Sequence, residues 1–190
     1  MTLTKQNTEQ LVALCATGNQ SAQMEIYNRY YKAMYNTSLR IVKNSFEAED
    51  IMQDSFLKAF TKLETLKDTS TFGPWLKRIV INNSIYHFNK NNKKNEVSFD
   101  SVLYKVEDET NNETNGINNS YDLLSLKAQQ ILKTIKTLKD NYRIALTLNL
   151  IEGYDSEEIS EIMNITNANC RTTISRAKDS LRKKLEKEFA

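Results

Sequence analysis

A run near the middle of the chain, residues 95–119, holds almost nothing that could be buried after Val106. It is crowded with Asn, Thr and Ser around Glu107, Asp108, Glu109 and Glu113. Such a stretch cannot recover by burial the conformational entropy it would lose on ordering, so it reads as a flexible acidic linker. A chain of 190 residues interrupted in this way divides into two small domains, placed at 1–95 and 121–190 with the linker at 96–120.

Both flanking lobes carry helical periodicity. Four Gly and one Pro are too few for the hairpins of a β-rich fold, so the predicted class is all-α. In the first lobe, Leu11, Leu14 and Cys15 predict a short opening helix. A long helix follows over 21–42, with Ile26, Tyr27, Tyr30, Tyr31, Met34, Leu39 and Ile41 on its apolar faces. A third begins at Ser45 as N-cap, with Glu47, Glu49 and Asp50 in its positive first turn. Its stripe is Ala48, Ile51, Met52, Phe56, Ala59, Phe60 and Leu63. A polar loop over 64–71 leads to a fourth helix that has Pro74 in its first turn and runs to about Asn89.

In the second lobe, Leu124, Ala128, Ile131, Ile135 and Leu138 predict one helix, and Ile144, Ala145, Leu148 and Ile151 another. Gly153 serves as a C-cap. Asp155 or Ser156 then caps a short helix holding Ile159, Ile162 and Met163. After a break at 164–166, a last helix carries Cys170, Ile174, Ala177, Leu181 and Leu185.

The net charge of +2 conceals an asymmetry: residues 1–95 sum to +5, 96–125 to −6 and 126–190 to +3. Two basic lobes around an acidic strip suit two nucleic-acid contacts. Two distant cysteines, Cys15 and Cys170, and the single His87 supply neither a zinc site nor a disulfide framework, so no metal or other cofactor is expected. No apolar run approaches the roughly 18 residues that span a bilayer, and residues 1–10 lack the apolar core of a signal peptide. A cytoplasmic location without membrane insertion is expected. One histidine, no Gly-rich phosphate loop and no nucleophile–base pair leave no catalytic constellation, so the chain reads as a non-enzyme.

Three constellations remain. The short capped helix, turn and long helix at the end of the second lobe have the ingredients of a helix-turn-helix. Asn167, Asn169, Arg171, Thr172, Thr173, Ser175 and Arg176 lie at the beginning of its second helix, where a recognition helix meets the major groove, and Arg182, Lys183, Lys184 and Lys187 form a basic tail. On the fourth helix, Trp75, Arg78, Asn82 and Tyr86 share one face and are followed by Lys90, Lys93 and Lys94, which suits stacking on unpaired bases beside a phosphate track. On the third, Glu49, Asp50, Gln53 and Asp54 form an acidic-polar face suited to a basic partner. Each admits a plainer reading, as a solvated face or, for Trp75, as core. A DNA-binding regulator acting without polymerase and a structural helical adaptor also fit the helical patterning.

The order of the pieces adds information. The sequence A-E-D-I-M-Q-D-S-F-L-K-A-F at 48–60 closely resembles the clamp-binding segment of sigma factors in the sigma-70 superfamily. F-G-P-W-L-K-R-I-V-I-N-N at 72–83 resembles the segment that follows it. L-N-L-I-E-G-Y-D-S-E-E-I-S-E-I-M-N-I at 148–165 and S-R-A-K-D-S-L-R-K-K-L at 175–185 resemble the C-terminal helix-turn-helix domain. The small extracytoplasmic-function group fits best.

That resemblance implies that Glu49, Asp50, Gln53, Asp54, Phe56 and Leu57 dock on the coiled coil of the polymerase's largest subunit. Leu66, Lys67, Asp68, Thr69, Ser70 and Thr71, with Trp75, Lys77, Arg78, Asn82, Tyr86 and Lys90, fall where the family melts and reads the minus-ten element. It further implies contact of the second lobe with the polymerase flap and upstream duplex DNA, a linker threaded toward the RNA-exit path, and an anti-sigma or separate DNA-targeting partner. The chain departs from the pattern in its recognition helix. Where the family usually reads Thr-Val-Lys-Ser-Arg-Leu, this chain has Asn169, Cys170, Arg171, Thr172, Thr173 and Ile174, so the second cation is lost to Thr173; Lys139 replaces the usual Pro.

Overall fold

The computed structural model describes residues 3–95 and 119–188, and among these the regular elements are all helical. The expected linker lies outside the described residues, except that Asn119 and Ser120 already begin a helix. The chain divides into two units, Met1–Ser101 and Val102–Ala190.

The first unit contains α1 (Thr8–Ala16), α2 (Gln20–Val42), α3 (Ser45–Thr61) and α4 (Phe72–Asn95). Asn side chains cap the first three. Asn7 Oδ1 accepts from Gln10 N at 2.9 Å, Asn19 from Ala22 N at 3.0 Å and Asn44 from Glu47 N at 3.1 Å. The cap of α3 is therefore Asn44 and not Ser45: Asn44 holds the extended backbone a cap requires, and Ser45 is already helical. The apolar stripes of the helices meet in one core built on Leu11, Ile26, Met34, Met52, Phe56, Phe72, Leu76 and Val80.

Two features set the position of α4. A Cβ on Gly73 would sit 3.2 Å from Cε1 of Tyr30, so the missing side chain lets the first turn of α4 close onto α2. At its other end α4 runs to Asn95, past the expected stop at Asn89, and Asn91 Nδ2 donates to Glu47 Oε1 at 3.0 Å, tying it to the first turn of α3. The 64–71 loop is not irregular throughout, since short 3-10 turns occupy Leu63–Thr65 and Thr69–Thr71.

The second unit contains α5 (Asn119–Lys136), α6 (Asp140–Leu146), α7 (Ser156–Met163) and α8 (Asn167–Glu188). The helix expected through Ile151 widens into a π turn over Thr147–Ile151, with Glu152 N bonded back to Thr147 O at 3.0 Å. Gly153 then takes φ +81°, a left-handed conformation that a Cβ would strain. The core joins Ile135, Leu138, Leu146, Ala177 and Leu181. Of the stripe expected on α5, Ile135 and Leu138 are buried and Ala128 and Ile131 exposed, while the side chain of Leu124 lies outside those described.

Candidate protein- and nucleic-acid-binding faces

On α3 the buried stripe Ala48, Ile51, Met52, Phe56 and Ala59 leaves the opposite face to solvent. Glu49, Asp50, Gln53 and Asp54 all lie exposed there, and Gln53 Nε2 donates to Glu49 Oε1 at 3.3 Å. Leu57 stands among them, 65% exposed. Phe56 does not join them. It is 2% exposed, with its ring 4.9 Å from Tyr27 and 6.1 Å from Phe60, so a partner on the acidic face could not reach it. Phe46, absent from the sequence-derived set, is 80% exposed on the first turn. Its distances of four residues from Asp50 and seven from Gln53 are the signal that identifies it.

The neighbouring α4 presents Trp75, Arg78, Asn82 and Tyr86 along one side. Asn82 and Tyr86 are exposed and Arg78 is half-buried. Trp75 is half-buried as well: its ring lies 5.9 Å from the buried Phe72 and packs against the core while part stays open. The core reading of this Trp holds for the packed part of its ring, and the remainder is open to solvent. Lys77 is half-buried and Lys90 exposed.

The other side of α4 is bonded to its neighbours. Asn83 Nδ2 donates to Ser55 Oγ at 2.8 Å, and Lys58 Nζ donates to Asn83 Oδ1 at 3.1 Å. One residue on, Ser84 and Ser38 of α2 share a hydrogen bond of 3.0 Å inside the core. These side-chain bonds admit one rotation of α4 about its axis, because turning the helix would bury their polar atoms unpaired. The rotation they select points Asn82 and Tyr86 outward. Sequence reasoning missed this bridge, whose partners stand 25 to 46 residues apart.

Of the preceding loop, Lys67, Asp68, Ser70 and Thr71 are exposed, while Leu66 and Thr69 are half-buried. Asp68 Oδ1 accepts from Ser70 N at 2.9 Å, and Thr71 Oγ1 donates to Asp68 O at 2.8 Å. The Ser70 hydroxyl, and after it the Ser70 N–H, hold the Asp68 carboxyl below its ordinary range. Asp68 is thus an ionised cap that shapes the loop. Its negative charge sits at the centre of this turn, between the exposed Lys67 and Ser70.

In the second unit, Asp155 caps α7 through Glu157 N at 2.8 Å and Glu158 N at 2.9 Å, and Glu158 Oε2 accepts from Asp155 N at 3.0 Å. Asn164 turns the chain in the left-handed region at φ 52°. Thr166 Oγ1 then accepts from Asn169 N at 3.3 Å as α8 starts. Cys170, Ile174, Ala177 and Leu181 face inward, which leaves Asn169, Arg171, Thr172, Ser175 and Arg176 exposed and Thr173 half-buried. Two candidates are differently engaged. Asn167 is half-buried with Oδ1 enclosed and lacking a hydrogen-bond partner. Exposed Arg182 pairs with Asp179 at 3.1 Å, a weak surface ion pair that phosphate could displace. Lys184 leaves the basic tail altogether: its Nζ donates to Thr137 O at 2.8 Å and Thr137 Oγ1 at 2.9 Å, beyond the last turn of α5.

Burial pushes the Cys15 thiol up to about 11 and raises that of Cys170; both cysteines are buried and free. Among the described residues no three His, Cys, Asp or Glu side chains gather into a metal site, and no helix is long and apolar enough to cross a membrane.

Comparison with known proteins places these faces in a family. The model of Sigma-70 region 2 matches residues 26–94, and that of Sigma-70 region 4 matches residues 128–181. The ECF RNA polymerase sigma factor SigW of Bacillus subtilis is 31% identical over 172 residues, 88% of this chain and 91% of that protein. The ECF RNA polymerase sigma-E factor of Salmonella typhi is 28% identical over 187 residues, 97% of each chain. Among solved structures, the sigma factor RpoE in complex with the anti-sigma factor NepR from Bartonella quintana shares the fold with a TM-score of 0.60 at 19% identity, covering 86% of this chain and 96% of that one. CnrH in complex with the cytosolic domain of CnrY gives 0.54 at 20% identity, covering 94% and 97%.

Proposed function

The chain belongs to the sigma-70 family of RNA polymerase sigma factors, in its extracytoplasmic-function group, and on that premise we propose that it joins core RNA polymerase and directs initiation at a restricted set of promoters without catalysing a reaction itself. Residues 1–95 dock on the polymerase clamp through the exposed face of α3 and open the minus-ten element with α4 and its preceding loop. Residues 121–190 meet the polymerase flap and upstream duplex through α8, and 96–120 joins the two. The factor acts in the cytoplasm.

The observation that carries this reading is the pairing of two faces within one rigid unit. The acidic face of α3 stands opposite its buried stripe, and the Arg78, Asn82 and Tyr86 face of α4 is held in fixed rotation by the Ser55–Asn83–Lys58 bridge. A protein-docking face rigidly coupled to a base-stacking face is what loading a polymerase onto melted DNA requires. The sigma factor RpoE is held by the anti-sigma factor NepR, and CnrH by the cytosolic domain of CnrY; an anti-sigma partner for this chain is part of the proposal.

The test is run-off transcription from promoter libraries with purified core polymerase, with and without the chain. Asp50→Lys with Asp54→Lys and Gln53→Ala changes only exposed side chains, so helicity is expected to persist while polymerase association and transcripts are lost. Undiminished association by that folded variant would refute docking through α3. Specific DNA binding with no effect on the polymerase would favour a free-standing regulator.

A further inference from the structure

Phe46 has no role in the core and none in the acidic face as described, yet it is the most exposed of the large apolar side chains among the described residues, at 80%. Burying an aromatic ring is favourable, and a protein surface that leaves one open forgoes that gain until a partner covers it. Its position on α3 is specific. At 3.6 residues per turn, Phe46, Gln53 and Leu57 fall within about 40° of arc, with Asp50 close beside them. Phe46 and Leu57 stand eleven residues apart, about 16 Å along the helix axis. The exposed face is therefore a graded strip, with an apolar side chain at each end and Glu49, Asp50, Gln53 and Asp54 between.

We propose that Phe46 and Leu57 are paired apolar anchors, and that their occupant is a basic amphipathic helix of core polymerase lying along α3, with apolar side chains about three turns apart and cations between them. This rests on the proposed polymerase docking and adds to it the residues that supply affinity. The charge pattern selects the occupant. Three carboxylates in the middle of the strip, with α3 cations confined to Lys58 near its end, repel an acidic segment and leave a purely apolar one with charges to desolvate. The carboxylates steer and orient the encounter, whereas the rings and methyl groups at either end slow dissociation. Phe46 is also well placed structurally. It follows the Asn44 cap by two residues, and its neighbour Glu47 is bonded to Asn91 of α4, so its backbone is fixed before a partner arrives.

The experiment measures core polymerase affinity of the full chain across a salt series. Phe46→Ala and Leu57→Ala are each expected to weaken binding about tenfold, mostly by faster dissociation, with the salt dependence unchanged. Phe46→Trp is expected to retain binding, and the charge reversals to flatten the salt dependence. Met24→Ala on α2, another exposed apolar side chain at 59%, is expected to bind as the unsubstituted chain does. Binding of Phe46→Ala within twofold of the unsubstituted chain overturns the proposal, as does an equal loss in Met24→Ala. An unsubstituted chain that fails to bind core polymerase overturns the proposed function, and the anchors with it. One that binds while Phe46→Ala binds equally well overturns the anchors alone.

Discussion

Phe56→Ala separates packing from docking on α3. The ring is 2% exposed and lies between Tyr27 and Phe60, so its removal leaves a cavity inside the first unit. Core Phe→Ala substitutions cost about 3–5 kcal/mol, and the aromatic contacts with Tyr27 and Phe60 place this one in that range. Against a total of about 5–15 kcal/mol for a small domain, the loss is roughly a fifth or more. Leu57→Ala, one residue on and solvent-facing, is expected to stay within about 0.5 kcal/mol. The assay is urea unfolding followed by tryptophan fluorescence. Trp75 is the single Trp of the chain and packs against that same core, so its emission reports the first unit alone. With a denaturant slope of about 1.5 kcal/mol/M, Phe56→Ala lowers the midpoint by roughly 2 M or more, and Leu57→Ala leaves it in place. A Phe56→Ala chain that unfolds with the unsubstituted protein yet fails to bind polymerase would refute the burial argument and return Phe56 to the docking surface.

Asn82→Ala removes an exposed amide without touching the bridge at Asn83, so promoter opening is expected to slow about tenfold or change its minus-ten preference while polymerase binding persists; identical permanganate footprints would count against it. Cys15 is expected to resist thiol reagents at pH 7–9 until urea unfolds the first unit. Because its folded value near 11 lies above the ordinary thiol value, its stabilising contribution is complete below about pH 8.5, the unfolded thiol value, and drains away as pH rises toward 11; a Cys15→Ser chain with an identical alkaline stability profile would contradict this. On α8, Arg171 and Arg176 are exposed, but half-buried Thr173 stands where the family usually carries a second cation. Transcripts from templates randomised upstream are therefore expected to show a weak upstream motif, and a sharp, information-rich one would refute the inference.

What the sequence made legible follows from how local each determinant is. Helices with regular spacing, such as α3 and α8, were readable because three- and four-residue steps place one stripe inward whatever the stripe packs on. Capping chemistry is equally local: the sequence narrows the cap of α7 to Asp155 or Ser156, and the structure uses Asp155. At α3 two good caps stand side by side, and only the backbone conformation chooses Asn44 over Ser45. The π turn at Thr147–Ile151 carries no periodic signature, and α5 shows that periodicity says which side chains share a face without saying how far a core extends beneath it.

Phe56 is the instructive case. Its own spacing put it in the buried stripe, whereas family resemblance put it on the docking face, and the structure sides with the spacing. Resemblance locates a functional segment, but every such segment on an amphipathic helix contains residues that serve the core. The converse applies to Phe46, which lay just outside the matched segment and is the more exposed of the two. Asn83, Ser55 and Lys58 lay wholly beyond sequence reading, since their geometry exists only once α3 and α4 have packed. Their bonds explain why neighbouring asparagines on α4 take different tasks. A step of about 100° along the helix carries Asn83 against Ser55 and leaves Asn82 open to solvent.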